Sequence, residues 1–238
     1  MTTAGWFVTG TDTGIGKSLI TAALILGLRQ SGLRVAGMKP IASGCMQTPN
    51  GLRSDDAVLL ARVASVAAPY DRVNPVAFAP AIAPHLAAMR CGQDIDLGTI
   101  LRAWEWLRER SDCVVVEGVG GWRVPLGRGS TLVELVRLLA TPVILVVGIR
   151  LGCINHALLS AEAIARDGIA SAGWVANLMA GPVAEAAEIV AALAEIIGPP
   201  LAVVPALEPP TPAAALAAIR PAIERLAAAA AMVKSGGG

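Results

Sequence analysis

One stretch near the start of the chain, Gly10-Thr11-Asp12-Thr13-Gly14-Ile15-Gly16-Lys17-Ser18, constrains the fold more than any other feature. It follows the apolar run Trp6-Phe7-Val8 and opens an apolar-periodic segment from Leu19 to Leu28. A strand, a glycine-rich turn ending in Gly-Lys-Ser and then a helix form the setting in which backbone N–H groups and a helix N-terminus face an anion. In that setting Lys17 reaches the β- and γ-phosphates of a nucleotide, and the Ser18 hydroxyl is a ligand for Mg2+. Five residues separate Gly10 from Gly16, one more than in the common pattern, so this is a variant loop. A merely flexible turn leaves unexplained why lysine and serine directly follow the last glycine.

A phosphate loop of this kind belongs in a parallel sheet, and the apolar runs agree. Trp6 to Thr9, Val35 to Met38, Cys113 to Val116, Val143 to Val147, Ala172 to Ala176 and Leu201 to Val204 are almost wholly apolar, as strands covered on both faces must be. Helix-period segments alternate with them, at about Lys17 to Ser31, Asp55 to Val66, Leu97 to Arg110, Thr131 to Leu139, Asn155 to Arg166, Ala184 to Ile197 and Ala213 to Ala230. Gly32 and Gly168 are placed to end two helices, and Ser54 and Asp96 to cap two others. The reading is an α/β, doubly wound, mostly parallel sheet with helices on both faces. The 238 residues suffice for one such domain over 1–233, with 234–238 as a disordered tail. The proline-rich stretch Pro69 to Pro84 reads as irregular and suited to covering part of a cleft.

Composition narrows the function. The net charge is +1 and the basic residues are dispersed, which gives no footprint for nucleic acid or an anionic membrane. No apolar run approaches the roughly 20 residues that span a bilayer, and the start of the chain lacks the pattern of a secretory signal. The four cysteines, Cys45, Cys91, Cys113 and Cys153, have neither paired nor zinc-like spacing, which fits a reducing compartment. The expected location is cytoplasmic.

In an open parallel sheet, ligands bind outside the carboxyl ends of the strands. The residues at those positions form a constellation: the phosphate loop, then Lys39-Pro40 leading to Ser43-Gly44, then Glu117-Gly118-Val119-Gly120-Gly121-Trp122, then Asn177 after the fifth run and Pro205 after the sixth. Asp55 and Asp56 both stand at a helix start, and residue spacing alone does not choose between them as a metal ligand.

These motifs resemble the dethiobiotin synthetase family. The resemblance is carried by Phe7 to Thr13, Gly16-Lys17-Ser18, Lys39-Pro40 with Ala42-Ser43-Gly44, Gly51-Leu52-Arg53, Asn74-Pro75 and Pro84-His85. It continues through Val116-Glu117-Gly118, Gly120-Gly121-Trp122, Leu151-Gly152-Cys153-Ile154-Asn155-His156 and Gly173 to Asn177. It implies an enzyme that closes the ureido ring of dethiobiotin in biotin biosynthesis, using ATP, Mg2+, CO2 or bicarbonate, and 7,8-diaminononanoate. By resemblance Lys39 and Lys17 are catalytic. ATP is held by Asp12, Thr13, Gly14, Ile15, Gly16, Lys17, Ser18, Asp56, Glu117, Gly118, Asn177 and Pro205, and Asn177 reads the adenine edge. The metal ligands are Ser18, Asp56 and Glu117, since alignment through Gly51-Leu52-Arg53 selects Asp56. The diamine and its carbamate meet Thr13, Lys39, Ser43, Gly120 and, across a homodimer interface, Gly152, Cys153, Ile154 and Asn155. The chain departs from the family pattern at Gly14, where Glu is frequent, and at Ser18, where Thr is commoner.

A competing reading is a dimerising switch ATPase of the deviant phosphate-loop class. That class carries an extra lysine five residues before the loop lysine, and Asp12 stands there in this chain.

Overall fold

The apolar strands and the helices between them follow one another in regular alternation in a computed structural model that describes residues 4–179 and 185–235. The chain enters through β1 (Ala4–Gly10) and α1 (Lys17–Gln30), then β2 (Val35–Met38). A run of small elements follows: β3 (Ile41–Ser43), β4 (Met46–Thr48), β5 (Gly51–Arg53), α2 (Asp55–Val63), α3 (Tyr70–Val73), β6 (Val76–Phe78) and α4 (Pro84–Arg90). Next come α5 (Leu97–Arg110), β7 (Cys113–Glu117), the hairpin β8 (Pro125–Gly127) and β9 (Ser130–Thr131), α6 (Leu132–Leu139) and β10 (Val143–Ile149). The chain closes with α7 (Cys153–Arg166), β11 (Ser171–Leu178), α8 (Ala186–Ile197), β12 (Ala202–Val204) and α9 (Pro212–Ser235).

Six strands make one parallel sheet in the order β12-β11-β10-β1-β7-β2. Both of its faces are covered, one by α1 and α9 around Ile20, Leu24, Leu28 and Ile219, the other by α5, α6, α7 and α8 around Trp104, Leu107, Leu135 and Leu193. Every residue of β7 and of β10 is buried, which is why these strands read as unbroken apolar runs. Among the described residues no helix is long and apolar enough to cross a membrane.

The expected caps are present. Ser54 accepts from the Ala57 N–H and Asp96 from the Gly98 and Thr99 N–H groups, while Gly32 and Gly168 take positive φ just past α1 and α7. Thr131 caps α6 in a reciprocal box with Glu134, so that helix begins one residue later than expected.

Three expectations need correction. The stretch Pro69 to Pro84 holds α3 and β6, and Pro84 starts α4 at a position where its missing N–H costs nothing. Asn177 lies inside β11 and not after it. The last helix continues through Lys234 and Ser235, so those two residues do not belong to a tail; Gly236 to Gly238, and Ala184 at the expected start of α8, lie outside the described residues.

Candidate functional site

At the carboxyl ends of β1, β2 and β7 the structure forms a cavity of roughly 840 Å³. Thr13, Gly14, Gly16, Lys17, Ser18, Lys39, Ser43, Asp56, Glu117 and Gly120, all expected site residues, line it. The phosphate loop is built as an anion cradle demands. Gly16 occupies the N-cap of α1 at φ 89°, and no side chain caps the helix, so its first-turn N–H groups are left for a ligand. A Cβ on Gly16 would sit 2.3 Å from Asn177 Nδ2, so at this φ a side chain would be strained and would push the amide off the Ile15 carbonyl. Lys17 folds back so that its ammonium donates to the Asp12 carbonyl at 2.6 Å.

The registers of the sheet assemble the charged centre. Met38 pairs with Val116 and Val8 with Glu117, so Lys39, one residue past β2, emerges beside Glu117 at the end of β7. Lys39 Nζ lies 2.5 Å from Glu117 Oε1, 2.9 Å from Asp56 Oδ2 and 3.1 Å from the Gly118 carbonyl. Ser18 Oγ is 2.7 Å from Asp56 Oδ1 and 2.8 Å from Glu117 Oε1. A hydroxyl has one proton and can donate to only one of these oxygens at a time. Glu117 is 1% exposed, and its second oxygen, Oε2, has no hydrogen-bond partner among the described residues.

The electrostatics follow from two carboxylates sharing one close ammonium. Burial pulls Lys39 toward neutrality, but Glu117 and Asp56 more than offset this and its pKa is raised. Burial pushes the Glu117 carboxyl up, aided by Asp56 and only partly opposed by Lys39. Asp56 is also desolvated, yet Lys39 and the Ser18 hydroxyl hold its pKa below the ordinary range. Burial, then the charge of Lys39, lowers Lys17 to about 8. Lys17 and Lys39 together balance the two carboxylates in formal charge, and Glu117 Oε2 is left as a buried oxygen without a partner among the described residues.

Ser18 Oγ, Asp56 and Glu117 are hard oxygen donors, and Mg2+ takes one or two carboxylates together with substrate phosphates and water. They fit that ion. Asp55, one residue earlier, is exposed at the first turn of α2 and makes none of these contacts. Ser43 Oγ is buried without a partner among the described residues and lines the same cavity.

Other expected residues stand apart from the cavity wall. Asp12 is turned outward into an ion pair with Arg150 at 2.6 Å. Ile15 is buried at 1% and fixes the loop from below. The Asn177 amide N–H groups already meet the Ile15 carbonyl at 2.9 Å and Met179 Sδ at 3.7 Å, so its carbonyl oxygen is the part left for a ligand and the donor-plus-acceptor reading is narrowed. Pro205 is exposed beyond β12. Gly152, at φ 86°, is the N-cap of α7, with Cys153 buried and Asn155 exposed, and none of Gly152 to Asn155 lines the cavity. Leu151 beside them is 96% exposed.

Asn74 had a place in a motif but no role. It is 4% exposed, donates to the Lys39 carbonyl at 2.7 Å and the Val76 carbonyl at 3.1 Å, and accepts from the Tyr70 hydroxyl. It anchors the backbone that carries the lysine. Ile82, Val119 and Val124 form an apolar stretch of the cavity wall, also unassigned from sequence because their neighbours are loop residues without periodicity.

A family described as an AAA domain matches residues 4–214. The ATP-dependent dethiobiotin synthetase BioD of Pseudomonas aeruginosa (strain UCBPP-PA14) is 54% identical over 214 residues, 89% of this chain and 94% of that protein. The protein of the same name from Cellvibrio japonicus (strain Ueda107) is 45% identical over 208 residues, covering 87% and 91%. The chain belongs to the dethiobiotin synthetase family. It is accordingly an enzyme, a ligase of the ATP-dependent type named for that family, as the motifs led one to expect. Among solved structures, the MinD cell division protein of Aquifex aeolicus superposes with a TM-score of 0.57 at 15% identity, covering 94% of this chain and 96% of that one. The MinC:MinD complex of the same organism gives 0.58 at 14%, covering 94% and 95%. At that identity the likeness establishes the phosphate-loop fold alone, and the family membership, with Asp12 in place of the switch-class lysine, sets the switch reading aside.

Proposed function

We propose that the chain closes the ureido ring of dethiobiotin from 7,8-diaminononanoate and CO2 with hydrolysis of ATP to ADP and phosphate. The observation that carries this is the convergence of two buried lysines and the Ser18, Asp56 and Glu117 oxygens on one cavity that has both a phosphate cradle and an apolar wall. One substrate amine takes up CO2 as a carbamate, the carbamate oxygen attacks the γ-phosphorus, and the second amine attacks the resulting anhydride and expels phosphate. Transfer of this kind is mostly positioning plus stabilisation of charge on phosphoryl oxygens. Lys17 leaves the Asp12 carbonyl for the β- and γ-phosphates, while the uncapped first turn of α1 and the Thr13 side chain hold the phosphate oxygens. Lys39 and Ser43 bind the carbamate, and Ile82, Val119 and Val124 line the hydrocarbon chain of the diamine. Mg2+, held by Ser18, Asp56 and Glu117, supplies charge neutralisation across the phosphates when bound. On the nucleotide side, Gly14, Ile15, Gly118, Asn177 and Pro205 complete the base and phosphate contacts.

The diamine carries a carboxylate at the end opposite its reacting nitrogens, so it needs a distant anion site. Gly152 to Asn155 at the start of α7 provides N–H groups, and the exposed Leu151 and Leu159 beside them suit burial in a homodimer, with each α7 serving its neighbour's cavity. We read the enzyme as cytoplasmic. The test is phosphate release from MgATP: dependence on both diaminononanoate and bicarbonate is expected, and release without either sinks the synthetase reading in favour of the switch. Asn155→Ala should raise the KM for the diamine and leave that for ATP unchanged; a monomer by sedimentation at working concentration refutes the shared site.

A further inference from the structure

Lys39, which the proposed reaction needs at the carbamate, lines the cavity but directs its ammonium at the proposed metal ligands. Lys39 is 4% exposed, and its ammonium touches oxygens of both carboxylates, at 2.5 Å to Glu117 Oε1 and 2.9 Å to Asp56 Oδ2. Mg2+ bonds carboxylate oxygen at about 2.1 Å, so an ion on Glu117 Oε1 would stand within about 5 Å of Nζ and draw on the same lone pairs. Ser18 Oγ lies within hydrogen-bond reach of both carboxylates, so turning it away to open a second cation position would forfeit the one bond it donates there. Two like charges this close in a buried site repel strongly, so a metal ion on these carboxylates weakens their hold on the ammonium.

We propose that Lys39 is a resident cation which Mg2+ displaces, so that metal entry both fills the Ser18, Asp56 and Glu117 position and releases the lysine into the cavity, toward Ser43, where the carbamate is held. Only the Gly118 carbonyl contact at 3.1 Å is independent of the carboxylates, and it serves as the pivot. Ser43 Oγ, buried without a partner among the described residues, is a waiting acceptor on the receiving side. The exchange makes the metal a condition for presenting the lysine, and it ties the order of loading to the geometry of one side chain. This inference rests on the metal ligands proposed above, and its test is arranged so that the two fail separately.

Mn2+ is the probe, titrated into the nucleotide-free protein and followed by the electron paramagnetic resonance signal of the free aquo ion. Removing the competing charge in Lys39→Met should tighten Mn2+ binding by roughly tenfold or more, the scale on which close charge pairs in desolvated sites couple. A second readout uses the wild-type chain, so it does not depend on the variant folding. Lys17, Lys39 and Lys234 are the three lysines of the sequence, and acetylation by acetic anhydride, read by mass spectrometry, should rise at Lys39 on adding Mn2+ while Lys234 stays constant. If Lys39→Met binds Mn2+ no more tightly and Lys39 labelling ignores the metal, while Glu117→Gln loses the site, the exchange is overturned and the metal ligands stand. If Glu117→Gln binds Mn2+ like the wild type, both readings fall.

Discussion

Glu117→Gln keeps the shape of the side chain and removes its charge at a point that is 1% exposed. Lys39 then retains the Gly118 carbonyl and Asp56, whose side chain is 41% exposed, so its ammonium is only part-compensated. Breaking a buried ion pair from one side typically costs ~3–5 kcal/mol. With Asp56 still at 2.9 Å, we expect the lower end, about 3 kcal/mol. Over 238 residues the unfolding entropy is about 0.5 kcal/mol/K, so the melting temperature should fall by about 6 °C. Much of that loss is the stranded ammonium, not the pair itself. Lys39→Met/Glu117→Gln should therefore recover about 2 kcal/mol relative to Glu117→Gln, since a buried pair replaced on both sides is often close to neutral. Thermal and urea melts of the wild type, both single variants and the double variant close the cycle. Additivity of the two single costs within about 0.5 kcal/mol, or a Glu117→Gln protein as stable as the wild type, would refute the coupling drawn from the geometry.

Asn74→Ala leaves the buried Lys39 carbonyl without its donor at 2.7 Å; a loss of about 1–3 kcal/mol in urea melts should come with a fall in kcat, and full activity would show that the anchor is dispensable. Asp56→Asn should abolish tight Mg2+ dependence, while Asp55→Asn should change stability by only ~0.3–1 kcal/mol through the α2 dipole; the reverse pattern in Mg2+ titrations of activity would contradict the contacts seen for Ser18. For Lys17, lowered to about 8 by burial and then by Lys39, the folded pKa lies below the unfolded value, so its contribution to stability grows as pH rises from about 8 through the unfolded pKa of about 10.4. ATP supplies negative charge that raises this pKa, so nucleotide binding near pH 8.5 should take up a proton and near pH 6.5 should not. Calorimetry in buffers of different ionisation enthalpy checks this, and a buffer-independent heat near pH 8.5 would rule it out.

The six strands of the main sheet were legible because a strand covered on both faces has no polar side to disguise it, as the wholly buried β7 and β10 illustrate. Their order was not. The central strand β1 pairs with β7 and β10, each more than a hundred residues downstream, and nothing local in Trp6 to Thr9 names those partners. The small pairs β3 with β6 and β4 with β5 escaped for a related reason: β4 and β5 hold no buried residue to mark them, and the prolines around β6 read as breakers until Asn74 and the Lys39 backbone bond are seen holding the segment in place. The same division runs through the site. Residue types pointed to the groups proposed to handle phosphate, because Gly16, Lys17 and Ser18 stand within one loop whose shape is local. The relation between Lys39 and Glu117 depends on a register, Met38 against Val116, that brings together residues far apart in the chain. Lys39 could be expected in the crevice on sequence grounds, but its placement between two carboxylates is a property of adjacent parallel strands ending in step, where one delivers a cation and the next an anion to the same few ångströms. Moving either strand by one residue would turn the lysine or the glutamate to the other face of the sheet, which makes that register the tightest structural constraint on the chemistry proposed for this cavity.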